Sequence, residues 1–397
     1  MLPPRLAELG INAFWSWIGT GLGGLGIGMV FVRLGEEYIK STQDNLVYSI
    51  HELVSFQLGD WMKNFLRRSI FWGYWLFACL GNAALSLTIT SSLAYFFPTI
   101  LDYEIFLHIL IFSACYSINR RGIGMSRPVS LALCLIKIAI MIIVPLIALF
   151  KLNNSIVIAN QFSLPGTIRG MFITLWAFVG IESILMEQEI NLKMIKPAMI
   201  TGTLICLLTY LVNTYVMLYN IPNLKSSTSA YADLCSLLFG RNNQWIIHLF
   251  IILIMIGSLH GWTMTISSTC STGRDIVPTY AAKLNRHKVP EFALFISNLL
   301  PIALIWFVQF YLQKPDVFET ILDVATTLCL IIYLVGNLSF LDCIIGMKNK
   351  KLLDIIYFIL AQIYIILAII TSPQLLVVLA SSILVLFGFF GKGRVHE

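Results

Sequence analysis

The feature that most constrains this chain is a succession of eleven long apolar runs, separated by short segments that carry charges, prolines or glycines. A bilayer core about 30 Å thick is crossed by a helix of about 20 predominantly apolar residues, which is close to the length of most of these runs. Only 12% of the 397 residues are charged and 58% are hydrophobic, whereas a soluble domain has about 25% charged residues. The sequence therefore predicts an all-α integral membrane protein and argues against a soluble globular domain.

The limits of the apolar runs define the predicted spans. These are 9–33, 70–97, 104–119, 128–150, 170–187, 197–220, 244–268, 290–312, 320–345, 352–371 and 374–391. Glycines at every fourth position of the stretch GTGLGGLGIG (19–28) predict a helix face that packs closely against a neighbour. This stretch is not a dinucleotide fingerprint, because no strand precedes it and no βαβ unit follows.

The basic residues predict how the chain is oriented, since Lys and Arg favour the cytoplasmic side of a membrane. Most of them lie in alternate loops, for example in the pairs Arg67–Arg68 and Arg120–Arg121, and Lys392 and Arg394 follow the last span. The C-terminus is therefore predicted to be cytoplasmic and, with eleven spans, the N-terminus to face outward. The net charge of +6 follows this loop pattern, so no nucleic-acid partner is predicted.

The eight cysteines are scattered, mostly within apolar runs, and none forms a CxxC pair. No His/Cys cluster has the spacing of metal ligands. They are interpreted as small buried side chains, and no metal site or cofactor is predicted.

The stretch TLWAFVGIESILME (174–187) is the first candidate for a functional site. An ionisable residue within a span is costly and therefore suggests function. Gly180 interrupts an otherwise continuous helix between Trp176 and Glu182, and a helix broken near mid-membrane exposes backbone groups that can hold a charged small molecule. In the alternative interpretation Glu182 marks a cytoplasmic helix end, where Glu187 and Glu189 soon follow, and Gly180 only packs.

The stretch GYWLFACLGNAAL (73–85) is the second candidate. Its spacing of three and four residues places an aromatic group, small residues and an amide on one helix face. The members of this face are Tyr74, Phe77, Ala78, Gly81 and Asn82. The alternative is a face whose small residues serve only close helix packing.

The stretch GSLHGWTMT (257–265) is the third candidate, because His260 and Trp262 follow a glycine within a span. The alternative for Trp262 is an anchor at the membrane surface. Asp323 and Lys137 are weaker candidates for a functional site. Each is expected either to lie at the rim of a cavity or to extend its charged group toward water.

These stretches, in this order, resemble the basic amino acid/polyamine antiporters of the amino acid–polyamine–organocation (APC) superfamily, among them the arginine/agmatine and putrescine–ornithine antiporters. The resemblance covers nearly the whole chain and is strongest over 74–98, 172–183 and 257–278. It implies a LeuT-like fold of twelve helices, with two inverted five-helix repeats and with helices one and six unwound around the substrate. The eleven spans then look like family helices two to twelve. As one transmembrane domain, 1–397, the chain would comprise a remnant of the first helix (1–8), the repeat core (9–345) and two C-terminal helices (352–391).

The resemblance also implies roles for individual residues. Trp176 looks like an aromatic lid that stacks on a cationic substrate, and Gly180 like the point where the sixth helix unwinds. The residues that look like a gate are Tyr74, Glu182 and Tyr333. Those that look like walls of the substrate site are Phe77, Ala78, Asn82 and Trp262. Ala325 stands where the arginine-specific relatives have a hydroxyl, which argues against strong guanidinium recognition.

Three segments depart from the family pattern. MLPPRLAELG (1–10) fits only the outer end of the unwound first helix, so the chain is expected to lack the part that holds the substrate carboxylate. The stretch 36–56 lacks the family's Pro-Gly-Gly-aromatic segment, and INLKMIKP (190–197) is reduced from a longer polar motif.

The function implied by the resemblance is exchange of arginine, ornithine or lysine for its amine or another amino acid, across the bacterial inner membrane. The alternative is a truncated member of the family that no longer transports. A membrane enzyme is not predicted, because no nucleophile–base pair or other catalytic constellation is present. The expected partners are a cationic amino acid or polyamine and the lipid bilayer, and a homodimer is left open.

Overall fold

The computed structural model describes residues 2–42, 49–152, 161–186, 192–227, 229–311, 316–346 and 351–389. Within these residues the chain is helical, apart from loops and one isolated β-bridge between Leu284 and Pro290. Four residues on which the sequence predictions rest, Glu187, Glu189, Lys392 and Arg394, lie outside the described residues.

Fifteen α-helices are present in the described part of the chain. In chain order they are α1 Leu2–Ala7, α2 Asn12–Thr42, α3 Ile50–Leu53, α4 Asp60–Ala94, α5 Glu104–Asn119, α6 Ile123–Lys151, α7 Leu164–Thr174, α8 Leu192–Asn220, α9 Ala230–Phe239, α10 Gln244–Thr272, α11 Thr279–Ala282, α12 Glu291–Trp306, α13 Val317–Gly346, α14 Leu352–Thr371 and α15 Gln374–Phe389. Short 3₁₀ turns join several of them, and a π-helical turn, Phe307–Tyr311, extends α12.

Ten helical segments of the described chain are long and apolar enough to cross a membrane. They correspond to ten of the eleven predicted spans. The eleventh, predicted over 374–391, is α15, whose 16 residues make it shorter than the usual span. The prediction of an all-α membrane protein is confirmed.

The helix ends differ more from the prediction than the helices themselves. Helix α4 begins at Asp60 rather than at 70, and α2 continues to Thr42 rather than ending at 33. Both extensions carry charged residues such as Lys63 and Glu37, which a helix can keep solvated once it has left the apolar core of the bilayer. Hydropathy detects only the apolar part of such a helix.

Close packing of α2 against α14 depends on glycine. A Cβ built on Gly23 would lie 2.1 Å from Cγ of Tyr364, and one built on Gly26 would lie 2.8 Å from the backbone nitrogen of Ala361. The two backbones can approach this closely only where no side chain stands between them. The predicted close-packing face of 19–28 is therefore confirmed.

Helix α1 is attached to α13 by an ion pair. The Arg5 guanidinium lies 3.0 Å from Oδ1 of Asp323 and 3.9 Å from Oε1 of Glu319. Asp323 is half-buried, so the ion pair partly offsets the loss of hydration of its carboxylate. The eight cysteines are free thiols, six of them buried.

Candidate functional site

The helix that carries the first candidate stretch is broken in the structure. Helix α7 ends at Thr174 and is followed by two 3₁₀ turns, Leu175–Ala177 and Ile181–Met186. Between the turns Gly180 has a φ of +93°, in the left-handed region that residues with a Cβ rarely adopt. Glycine at this position lets the chain change direction inside the protein.

Neighbouring helices hold the end of α7 in place. The Thr20 hydroxyl of α2 lies 2.6 Å from the hydroxyl of Thr174, and the Tyr364 hydroxyl of α14 donates to the carbonyl oxygen of Met171 at 3.1 Å. Within the break, the Ser183 hydroxyl donates to the carbonyl oxygen of Gly180 at 2.6 Å. Both carbonyl oxygens also accept a backbone N–H group, from Leu175 and from Ser183, so the hydroxyls add a second hydrogen bond to each at the break.

Glu182 lies at the center of a buried hydrogen-bond cluster. Its side chain is only 1% exposed. The Tyr74 hydroxyl of α4 donates to Oε1 at 2.9 Å, and the Tyr333 hydroxyl of α13 donates to Oε2 at 2.5 Å. The structure thus brings together three residues that are separated by more than 100 positions in sequence. We call this group the carboxylate end of the site.

The environment of Glu182 does not fit a solvated helix end. The ion pairs among the described residues do not include this carboxylate, so the two phenols supply its side-chain hydrogen bonds. A buried carboxylate without a cation beside it is costly, and hydrogen bonds such as those from the two phenols reduce this cost. A cation that reached Glu182 would therefore meet a carboxyl group that has no ion-pair partner among the described residues.

Three aromatic side chains from three segments form the opposite part of the site. The Phe77 ring contacts the Trp176 ring edge to face, with centroids 6.4 Å apart, and the Trp262 ring at 5.8 Å. Tyr74 joins the two groups, because its ring lies 5.7 Å from that of Phe77 and 6.5 Å from that of Trp262. We call Phe77, Trp176 and Trp262 the aromatic end of the site.

Two glycines make room for the two indole rings. A Cβ on Gly81 would lie 3.1 Å from Cη2 of Trp176, and one on Gly180 would lie 2.7 Å from Cζ2 of Trp262. Trp262 thus packs against Gly180, at the break that follows α7, rather than serving as an anchor at the membrane surface. The small residues of the 73–85 stretch provide space for aromatic side chains as well as for helix packing.

The remaining predicted wall residues are buried near these groups or on the same helices. The Asn82 amide donates from Nδ2 to the Thr263 hydroxyl at 3.1 Å, and its Oδ1 has no hydrogen-bond partner among the described residues. Ala78 and Ala325 are buried and offer no polar group. The His260 backbone carbonyl accepts from Asn119 at 3.4 Å.

Two largely buried arginines form ion pairs that the sequence analysis did not predict. Arg67 of α4 pairs with Asp275, which follows α10, and its Nη2 lies 3.3 Å from Oε1 of Glu52. Arg33 of α2 binds both carboxylate oxygens of Asp354 of α14, at 2.8 and 2.9 Å. Asp275 and Asp354 lie 208 and 321 positions from these arginines, so no local sequence pattern indicates the two pairings.

The ion pair of Arg67 with Asp275 changes the pKa of a buried histidine, His51, which lies outside the predicted spans. The His51 ring is fully buried, and its Nε2 lies 3.1 Å from the hydroxyl of Ser49. Burial and the nearby positive charge of Arg67 lower the pKa of His51 to about 3, an effect that the negative charge of Asp275 partly offsets. His51 is therefore neutral at physiological pH.

Fold and site together define a class of protein. A membrane chain of many apolar helices, with one helix broken beside a buried carboxylate and an aromatic cluster, has the architecture of a solute transporter. The model of one family, described as amino acid permease, matches residues 3–396. The chain belongs to the amino acid permease family, which confirms the superfamily resemblance.

Named relatives of this chain are antiporters. A protein of Bacillus subtilis (strain 168), provisionally named an arginine/ornithine antiporter, is 27% identical over 94% of this chain and 87% of its own length. The arginine/ornithine antiporter of Pseudomonas aeruginosa is 26% identical over 80% of this chain and 69% of its own length. The arginine/agmatine antiporter of Chlamydia trachomatis serovar D is 26% identical over 71% of this chain and 62% of its own length. The chain is thus similar to transporters rather than to enzymes.

Proposed function

We propose that this protein is a secondary-active antiporter that exchanges a basic amino acid, of the arginine, ornithine or lysine class, for its amine or another amino acid by alternating access. The observation that carries the proposal is the placement of Glu182, a buried carboxyl group with no ion-pair partner among the described residues, two positions after the break at Gly180 and beside the aromatic end of the site. The names of the relatives support the same substrate class.

The aromatic end is proposed to bind the positive charge of the substrate. The face of a tryptophan attracts an ammonium or guanidinium group, and the interaction strengthens when water is excluded. Trp176 and Trp262 are partly exposed while Phe77 between them is buried, so the indoles are the rings that a substrate can reach. The free Oδ1 of Asn82 is the proposed acceptor for an N–H group of the substrate.

The carboxylate end is proposed to act as a gate. Tyr74, Glu182 and Tyr333 join α4, the broken segment and α13, so their hydrogen bonds hold three elements together. Breaking both bonds releases these elements and is required for the site to open on that side. From the distribution of basic residues we propose that this side faces the cytoplasm of a bacterial inner membrane, as does the C-terminus.

Ala325 bears on which substrate is preferred. A site that hydrogen-bonds a polar group rejects analogues that lack it, whereas a buried alanine can make no such bond. Ala325 is fully buried on α13, eight positions before Tyr333. We therefore propose that an ammonium substrate, ornithine or lysine, is accepted at least as well as arginine.

Exchange in proteoliposomes tests the proposal. Labelled arginine, ornithine and lysine are offered outside vesicles that contain one unlabelled amino acid or amine, and empty vesicles serve as the control. Uptake that depends on the internal substrate is expected, and Ala325→Ser is expected to shift the preference toward arginine. Uptake of none of the three under any loading would contradict the proposed substrate class, and uptake equal in empty vesicles would contradict antiport.

A further inference from the structure

A cleft lies at the ends of two membrane-spanning helices, away from the candidate site. It has a volume of about 410 Å³ and lies between the last turns of α5, the short helix α11 and the first turn of α12. Because α5 ends and α12 begins here, the cleft opens where a lipid headgroup would meet the protein. Its size is within the range of small-molecule sites, about 300–1,000 Å³.

The walls of this cleft are aromatic and unusually exposed. Tyr280 of α11 contacts Phe292 of α12, with ring centroids 4.9 Å apart, and Tyr116 of α5 contacts Phe295 at 6.2 Å. Tyr280, Phe292 and Phe295 are all exposed. Aromatic side chains with one apolar and one polar end concentrate at the boundary between acyl chains and headgroups, so this surface suits an amphipathic occupant.

The cleft has a positive charge, because the acidic residue that lines it is paired with an arginine and a lysine that lines it is not paired with an acid. The Glu291 carboxylate accepts from the Tyr116 hydroxyl at 2.9 Å and lies 2.9 Å from Nη2 of Arg120. It is therefore already neutralised. Lys283 lines the cleft, and among the described residues neither it nor the exposed Arg286 and Lys288 of the same loop forms an ion pair with an acid.

The loop that carries these basic residues is held in one shape. The Asn285 side chain accepts from the backbone N–H groups of His287 and Val289, at 2.8 and 3.1 Å, and donates to the carbonyl oxygen of Arg120 at 3.0 Å. At the end of α5, a Cβ on Gly122 would lie 2.7 Å from the carbonyl oxygen of His287. The loop is thus fastened to α5, and its backbone does not have to be ordered when a ligand binds.

We propose that this cleft binds an anionic phospholipid, with the phosphate group beside Lys283 and an acyl chain along Phe292 and Phe295. Charge complementarity favours this occupant over a second copy of the chain, whose matching cleft would bring like charges together. Basic pockets beside membrane-spanning helices are a recurrent type of anionic lipid site. The proposal concerns binding alone and does not depend on which substrate is exchanged.

Lipid titration of the purified protein tests this site. Delipidated protein in detergent is titrated with phosphatidylglycerol or phosphatidylcholine, and bound lipid is counted by native mass spectrometry. The Lys283→Gln variant is compared with Lys225→Gln, which removes the same charge from an exposed turn elsewhere. Thermal unfolding of each variant without lipid shows whether it is folded, and Phe295→Ala provides a second variant that leaves the charge intact.

The wild-type protein is expected to retain phosphatidylglycerol in preference to phosphatidylcholine. Lys283→Gln is expected to weaken phosphatidylglycerol binding about fivefold, the effect of one basic residue near a phosphate. Phe295→Ala is expected to weaken the binding of both lipids, and Lys225→Gln is expected to weaken the binding of neither. Equal binding of the two lipids by the wild type, or equal losses in Lys283→Gln and Lys225→Gln, would overturn the proposal. Binding of inorganic phosphate with the same affinity as phosphatidylglycerol would also overturn it, because the acyl chain would then contribute nothing.

Discussion

The aromatic end and the carboxylate end of the candidate site lie within six residues of each other along the broken segment, yet they are built from different interactions. At the aromatic end, Trp176, Phe77 and Trp262 touch through ring contacts at centroid distances of 5.8 and 6.4 Å. At the carboxylate end, Glu182 is buried and accepts two hydrogen bonds from phenols.

The difference bears on what each end can do. A ring contact is worth about 0.5–1.5 kcal/mol beyond the burial of area, so a substrate cation can replace one at little cost. Removing a hydrogen bond to a buried charge costs about 1.5–3 kcal/mol. The aromatic end is therefore suited to binding and release, and the carboxylate end to holding helices together until the site opens.

The largest effect is expected from Glu182→Gln. The amide can accept from one phenol but must then donate to the other, so one hydrogen bond is lost or reversed together with the charge. Alternating access requires the closed gate as well as the open one, and each such bond stabilises the closed gate by about 1.5–3 kcal/mol, so we expect exchange to fall at least about tenfold. Initial rates in proteoliposomes measure the effect.

The matched control is Asp342→Asn, which removes an exposed carboxylate from α13, the helix that carries Tyr333. It is expected to exchange like the wild type. Equal rates for Glu182→Gln and wild type would show that the carboxylate end takes no part in transport.

A glycine-to-alanine series tests the break itself. Gly180→Ala places a Cβ 2.7 Å from Trp262 at a positive φ, whereas Gly81→Ala meets Trp176 at 3.1 Å in an ordinary helix. An alanine in the left-handed backbone conformation of Gly180 costs about 1–2 kcal/mol before any side-chain contact is counted. We therefore expect Gly180→Ala to lose more exchange and more thermal stability than Gly81→Ala. Gly202→Ala is the control, because its Cβ would meet nothing within 4 Å. Three indistinguishable variants would contradict the packing of the indoles against the glycines.

Trp176→Leu is expected to weaken substrate binding without abolishing exchange. The lost cation–π interaction is worth about 0.5–2 kcal/mol, so KM should rise about twofold to thirtyfold while the maximal rate changes less. Trp245→Leu, at an exposed position on α10, should leave KM unchanged. A change in maximal rate at constant KM would assign Trp176 to gating and remove the distinction between the two ends.

The smallest effect on exchange is expected at His51, which lies outside both ends. Its pKa is about 3 in the folded protein and about 6.5 in an unfolded chain. The unfolded state therefore takes up the proton first, and this contribution to stability is complete above pH 6.5 and is lost as the pH falls toward 3. Each pH unit in this window costs at most about 1.4 kcal/mol.

The comparison of His51→Gln with His287→Gln measures this contribution. Thermal unfolding between pH 7.5 and 4.5 should depend less on pH in His51→Gln than in the wild type, and the exposed His287 should make no difference. Exchange at neutral pH should be unchanged in both variants. Identical pH dependence of unfolding in wild type and His51→Gln would contradict the assignment of a buried neutral histidine.

The membrane-spanning helices could be predicted from the sequence because the requirement for about 20 apolar residues is local. Their ends could not: α4 begins at Asp60, ten residues before the predicted start, because a helix continues into water without an apolar signal. Trp176, Gly180 and Glu182 were found from their own stretch. Tyr333, by contrast, was named only through the family resemblance, since nothing in its surroundings indicates a partner 151 positions away.

The pairing of Arg67 with Asp275 shows the same limit more strongly. Both residues stand at the ends of apolar runs, where charges usually face water, and only the packing of α4 against α10 brings them together. Sequence patterns of a single chain report burial along one helix and carry little information about which helices meet.

The central claim is that the site selects its substrate by positive charge, and competition between arginine and citrulline tests it most directly. Citrulline has nearly the shape of arginine but carries a neutral ureido group. Exchange of a labelled basic amino acid is measured with either compound as competitor, in the wild type and in Trp176→Leu. We expect arginine to inhibit at a concentration about tenfold lower than citrulline in the wild type, and the difference to shrink in the variant. Equal inhibition by the two compounds in the wild type would contradict the account.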